Sequence, residues 1–83
     1  MAGANAPKNV LGGRGKSAEY ASFIRRLRAA REDAGLSQEQ AARLLGRGQS
    51  FVSKCESGQR RVDVVELKAF AKLYSVRMNY FFD

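Results

Sequence analysis

The sequence predicts an all-α domain, and three observations predict it. From Tyr20 onward the apolar residues recur at helical spacing. No window alternates polar and apolar residues at period two for more than a few positions. Glycines and capping signatures then cut the chain into pieces of helix length. A length of 83 residues allows one small domain, and a hydrophobic fraction of 45% allows a real but small core.

The first helix is expected from about residue 19. Tyr20, Phe23, Ile24, Leu27, Ala30 and Ala34 share one face at i, i+3, i+4, i+7 spacing, and Arg25, Arg28, Glu32 and Asp33 point away. Arg31 falls in the middle of the apolar face. Gly35 ends the helix as a left-handed C-terminal residue would. Leu36 then precedes Ser37, an N-cap, with Gln40 three residues later, which is a capping box with a hydrophobic residue before it. The second helix follows from Gln38 to about Leu45 and should bury Ala41, Leu44 and Leu45.

Only "GRG" separates the second helix from the third, and so short a turn forces two helices into a steep corner. Ala42, small and four residues before Gly46, lets the third helix approach closely. That helix is expected over about residues 48–57. At about 100° per residue, Phe51, Val52 and Cys55 fall on one side. Gln49, Ser50, Ser53, Lys54 and Ser57 fall on the other, in one arc with a single charge. An ordinary solvated face carries Glu and Lys; this one offers amides and hydroxyls. Gly58 stops the helix, "QRRV" makes a basic loop, and Asp63 with Glu66 forms a second capping box. Val64, Leu67, Phe70, Ala71 and Tyr74 should line the buried side of the fourth helix. "SVRMNYFFD" closes the chain as a short aromatic-rich turn of helix.

Residues 1–18 differ from the rest. Gly, Ala and Asn dominate, Lys8, Arg14 and Lys16 are basic, and no acid is present. Such a segment cannot bury enough surface to fold alone, and it is read as a flexible basic arm. Its "GGRGKS" is not a phosphate-binding loop: the pattern G-x-x-x-x-G-K-[ST] needs Gly at position 10, where Val10 stands.

Fifteen Lys and Arg against eight Asp and Glu give a net charge of +7, which favours polyanionic partners. With one cysteine and no histidine, a Cys/His zinc site and an intramolecular disulfide are both excluded. No nucleophile has a base and no carboxylate pair is apparent, so an enzyme is not expected, nor a cofactor. No apolar run approaches the ~20 residues of a membrane span, and the first residues lack the apolar stretch of a secretory signal. A basic amphipathic helix on a membrane is disfavoured because each apolar face is needed for the shared core. The expected location is the cytoplasm.

"LSQEQAARLLGRGQSFVSKCESGQRRVDVVEL" resembles the helix-turn-helix of the phage Cro and repressor type, the XRE-like family. Ala42, Gly46, Val52 and Glu56 stand 4, 8, 14 and 18 residues after Gln38, as in that family. The resemblance covers roughly residues 24–82. It implies a compact five-helix, lambda-repressor-like DNA-binding domain behind the N-terminal arm, with residues 19–83 as that domain. Gly48, Cys55 and the small Ala41 depart from the usual pattern, and none of them lies on the polar arc.

The resemblance also implies roles. The third helix is the recognition helix, with Gln49, Ser50 and Lys54 facing base edges in the major groove. Gln can pair with the two major-groove groups of adenine and Lys can donate to guanine. Gln38 and Ser53 would meet the backbone. Arg47, Arg60 and Arg61 flank the helix and would clamp phosphates. Arg31 needs a partner, and the resemblance pairs it with Glu56. The expected function is sequence-specific binding of a double-stranded DNA operator as a transcriptional regulator, a repressor, working as a homodimer. Val65, Leu73, Met78, Tyr80 and Phe82 supply apolar surface for the dimer. The competing class is an antitoxin-like interaction module that uses the same fold to hold a protein partner, with the aromatic tail as its grip.

Overall fold

The computed structural model describes residues 18–82, which form four α-helices and a short 3₁₀ helix with no strand among the described residues. They are α1 (Ala18–Asp33), α2 (Gln38–Leu45), α3 (Gln49–Ser57) and α4 (Val64–Tyr74), followed by the 3₁₀ helix Met78–Phe82. The basic arm expected over residues 1–18 lies outside the described residues except for Ala18, which is helical and opens α1. The described residues hold four α-helices rather than the five expected, and the closing aromatic segment winds as a 3₁₀ turn.

Both capping boxes form. Ser37 Oγ accepts from Gln40 N at 3.0 Å, and Gln40 Oε1 accepts from Ser37 N at 2.8 Å. Asp63 Oδ1 accepts from Glu66 N at 2.7 Å, and Glu66 Oε1 accepts from Asp63 N at 3.0 Å. Each box satisfies N–H groups that the helix itself cannot. Gly46 ends α2 with φ 74° and donates to the carbonyls of Ala42 and Arg43. Gly58 ends α3 with φ 84°, a backbone that favours glycine, and a Cβ there would lie 3.0 Å from Ile24 Cδ1, a tight contact with the end of a flexible side chain. Ser75 does the same work after α4 with a side chain present, at φ 58°.

The core is small and partly aromatic. Phe70, Phe81, Leu27, Val52 and Cys55 are its largest fully buried side chains. Each such apolar side chain stabilises the fold by ~1.5–3 kcal/mol through burial. Phe81 meets Phe23 edge to face with centroids 5.8 Å apart, which docks the 3₁₀ helix on α1. Phe70 of α4 stacks on Phe51 of α3 at 5.8 Å.

Three residues expected inside are outside. Leu44 is 63% exposed and Val64 66% exposed, and Ala34 is exposed beyond the end of α1. On α2 the buried pair is Ala41 and Ala42, so the helix turns its small residues to its neighbours and leaves Leu44 on the rim, with Leu45 half-buried. Val64 is the first residue of α4, where the helix has not yet reached the core.

Candidate nucleic-acid interface

Gly46, Arg47 and Gly48 are all that separates α2 from α3, and Arg47 N donates to Ala42 O at 2.9 Å across that turn. Gly48 is the N-cap of α3 and supplies no side-chain cap. Val52 and Cys55 are fully buried and Phe51 is half-buried, so the opposite side of α3 is turned outward. Gln49, Ser50 and Lys54 are exposed there, and Ser53 is half-buried at the edge. Ser57, the last residue of that arc, uses its hydroxyl on the Lys54 carbonyl at 3.2 Å. Burial pushes the Cys55 thiol above its ordinary pKa.

Glu56 is the only acid on α3, and the fold removes it from the exposed face: its side chain is 1% exposed. Arg31 Nε donates to Glu56 Oε2 at 2.7 Å and Arg31 Nη2 to Oε1 at 3.1 Å, so the two make a bidentate pair between α1 and α3. Arg31 Nη1 donates to the Leu36 carbonyl at 2.7 Å, tying the α1–α2 loop to the same guanidinium. The Arg31 pKa is raised by the Glu56 hydrogen bond against the opposing effect of burial. Arg28 also reaches Glu56, at 3.6 Å, from an exposed position.

Gln38 is placed by this pair. Its Nε2 donates to Glu56 Oε1 at 3.0 Å, and its Oε1 accepts from Gln49 Nε2 at 3.3 Å. Its side-chain amide is thus committed to α3, and its N-terminal position on α2 leaves the backbone N–H for an outside partner.

The flanking cations divide. Arg60 is bound bidentately by Glu66, with Nη1 at 2.7 Å from Oε1 and Nη2 at 2.8 Å from Oε2. That contact raises the Arg60 pKa and holds the Glu66 carboxyl below its ordinary range. Arg47 lies 3.9 Å over the Phe51 ring and 3.8 Å from Glu66. Arg60 stands 4.9 Å from the same ring. Arg61 lies 4.3 Å over the Tyr20 ring, whose hydroxyl accepts from Val62 N at 3.1 Å. Sequence reading placed all three arginines at phosphates. In the structure Arg60 pairs with a carboxylate of α4 while its side chain stays 39% exposed. The parts that reading missed, Glu66 as a hub and Phe51 as a cation platform, left one trace: an acid and an aromatic among flanking arginines.

Two short helices joined by a three-residue turn, with the second showing an acid-free polar face, define a helix-turn-helix protein. A family model described as a helix-turn-helix domain matches residues 23–77, and the chain belongs to that family, within the XRE/Cro-like class. No curated protein is similar enough to the chain to stand as a relative. Among the described residues no group of three or more His, Cys, Asp or Glu side chains is arranged to hold a metal ion, and no helix is long and apolar enough to cross a membrane.

Proposed function

We propose that the chain is a sequence-specific double-stranded DNA-binding transcriptional regulator, acting as a repressor in the cytoplasm, with α3 lying in the major groove. The observation that carries this is the treatment of charge on α3. Its one acid is drawn into the core by Arg31, while Gln49, Ser50 and Lys54 remain exposed on the other side. A face built to meet a polyanion excludes carboxylates and offers short donors and acceptors. Membership of the helix-turn-helix family supports the same reading.

In this reading Gln49, Ser50 and Lys54 meet base edges. Ser53, Arg47, Arg61 and the backbone N–H of Gln38 meet phosphates, and Arg60 supports Arg47 from behind through Glu66. One recognition helix covers too few base pairs to define a site, so the regulator works as a homodimer on half-sites centred about 10–10.5 base pairs apart. Val65 and Phe82, 71% and 68% exposed, with the half-buried Leu73, Met78 and Tyr80, give apolar surface for a two-fold contact.

The test is binding of a duplex selected from a random pool, over a salt series. Gln49→Ala should weaken the selected duplex by ~1–3 kcal/mol and leave unrelated DNA unchanged. Arg61→Ala should weaken both alike and lower the salt slope by about one unit. Equal loss on both duplexes for Gln49→Ala removes the base-reading role.

A further inference from the structure

One arginine from before α3 and one from after it close on the same aromatic ring, and they are held in different ways. Arg60 is held by its edge: Nη1 and Nη2 donate to Glu66 at 2.7 and 2.8 Å, and Nη1 also donates to the Arg61 carbonyl at 3.0 Å. Arg47 is held by its face. Its guanidinium carbon stands 3.9 Å from the centre of the Phe51 ring, whereas that of Arg60 stands at 4.9 Å. An N–H pointed at the ring would hold the carbon farther off, so the face of the Arg47 guanidinium makes the contact. Glu66 Oε2 is 3.8 Å from Arg47 Nη2, within ion-pair range and beyond hydrogen-bond length. The ring itself is fixed, because Phe51 stacks on the fully buried Phe70 with the two planes 2° apart.

The distinction matters to an anion. All the N–H donors of a guanidinium lie in its plane and point out from its edge. A contact through the edge uses donors, and a contact through the face uses none. Arg47 therefore keeps its donor edge clear of the ring, with its side chain 43% exposed. It belongs to the turn that leads into the exposed residues Gln49 and Ser50. Charge favours the same outcome: Glu66 supplies one negative charge to two guanidinium groups, so one positive charge is left over at this turn.

We propose that Phe51 is a positioning residue for the DNA backbone: its ring holds the Arg47 guanidinium flat and off Glu66, with the donor edge presented to one phosphate beside α3. The inference rests on the DNA-binding reading above and names the residue that readies one of its phosphate contacts. An arginine loses rotamer freedom when it is fixed on a phosphate, and a side chain fixed beforehand loses less on binding. Without the ring, Arg47 can close the remaining distance to Glu66, and a phosphate must then compete with a carboxylate for the same donors. Phe51 acts only through Arg47.

The experiment measures binding to a short mixed-sequence duplex over a salt series, because a phosphate contact carries no sequence preference. The proteins are wild type, Phe51→Leu, Arg47→Ala and the double variant Phe51→Leu/Arg47→Ala, each checked for folding by thermal melting. Arg47→Ala should weaken binding and lower the salt slope by about one unit. Phe51→Leu should weaken binding by about 2- to 5-fold, the fold-change of an exposed cation–π contact, and keep the wild-type slope because the charge is still there. In the Arg47→Ala background, Phe51→Leu should change nothing. Wild-type affinity for either single variant overturns the inference. So does a loss from Phe51→Leu of the same size with Arg47 removed, which marks a structural role alone. Should Phe51→Leu fail to fold, Arg47→Lys decides with the ring intact. Lysine keeps the charge but has no planar face to stack, so it should show the same loss at the wild-type slope, and wild-type affinity overturns the inference. A wild-type protein that binds no duplex at low salt overturns the DNA-binding reading itself, and this is seen in the wild-type arm alone.

Discussion

Replacing Arg31 by Met would remove three charged hydrogen bonds at once: two to Glu56, at 2.7 and 3.1 Å, and one to the Leu36 carbonyl at 2.7 Å. The Met side chain fills similar space, so the loss is chiefly electrostatic. Glu56, with its side chain 1% exposed, would keep only the Gln38 amide and the looser Arg28 at 3.6 Å. Breaking a buried pair by removing one partner costs ~3–5 kcal/mol, because a charge is left without its counterpart. Arg28 is free to move toward Glu56, since its side chain is 57% exposed, and this places the expected cost near ~3 kcal/mol. At ~4–8 °C per kcal/mol for a domain of this size, the melting temperature should fall by roughly 12–24 °C. The assay is thermal melting by far-ultraviolet circular dichroism on Arg31→Met, Glu56→Met and the double variant. The double should lose much less than the two single losses together, because it leaves no buried charge unpaired. A melting temperature for Arg31→Met within a few degrees of wild type, or strict additivity in the cycle, would refute the argument.

Three further outcomes are expected. Ser75 holds a left-handed conformation at φ 58° with a Cβ in place, so Ser75→Gly should raise stability by roughly 0.5–1 kcal/mol once the greater freedom of glycine in the unfolded chain is subtracted. Chemical denaturation reads this directly. The Tyr74 hydroxyl is buried without a hydrogen-bond partner among the described residues, and burial pushes its pKa up; Tyr74→Phe should leave stability unchanged or raise it by ~1 kcal/mol, and a clear loss would show that the hydroxyl is satisfied. Glu66 has its carboxyl pKa lowered by Arg60, so the stability it contributes is present above the ordinary carboxylate range and is lost as pH falls through its lower folded value. Glu66→Gln should therefore be less stable than wild type at neutral pH and converge with it in strong acid; a gap that persists in acid would contradict the ion pair.

The helix ends were legible because local chemistry writes them. Ser37 with Gln40, Asp63 with Glu66, and the glycines at 35, 46 and 58 each act within a few residues of where they stand. Arg31 was legible for the opposite reason: a charge on an apolar stripe demands a partner from elsewhere. What failed were matters of rotation and reach. Periodicity alone could not decide whether α2 would bury Leu44 or the pair Ala41 and Ala42, since either arc gives a helical repeat. The close approach of α3 favoured the small pair. The pairing of Arg60 with Glu66 was not visible beforehand, because it depends on how a loop bends and no short-range signal marks it. The line from Glu56 through Gln38 to Gln49 joins residues 18 and 11 positions apart on three-dimensional grounds only.

Glu66 accepts from the backbone of Asp63, from both Nη atoms of Arg60, and lies within ion-pair distance of Arg47. The turn before α3, the loop after it and the first turn of α4 therefore share one carboxylate. Opening any one of the three takes a partner from that carboxylate. In native-state hydrogen exchange the amides of these segments would report a common opening free energy rather than a graded series, with the helix-turn-helix and α4 released together.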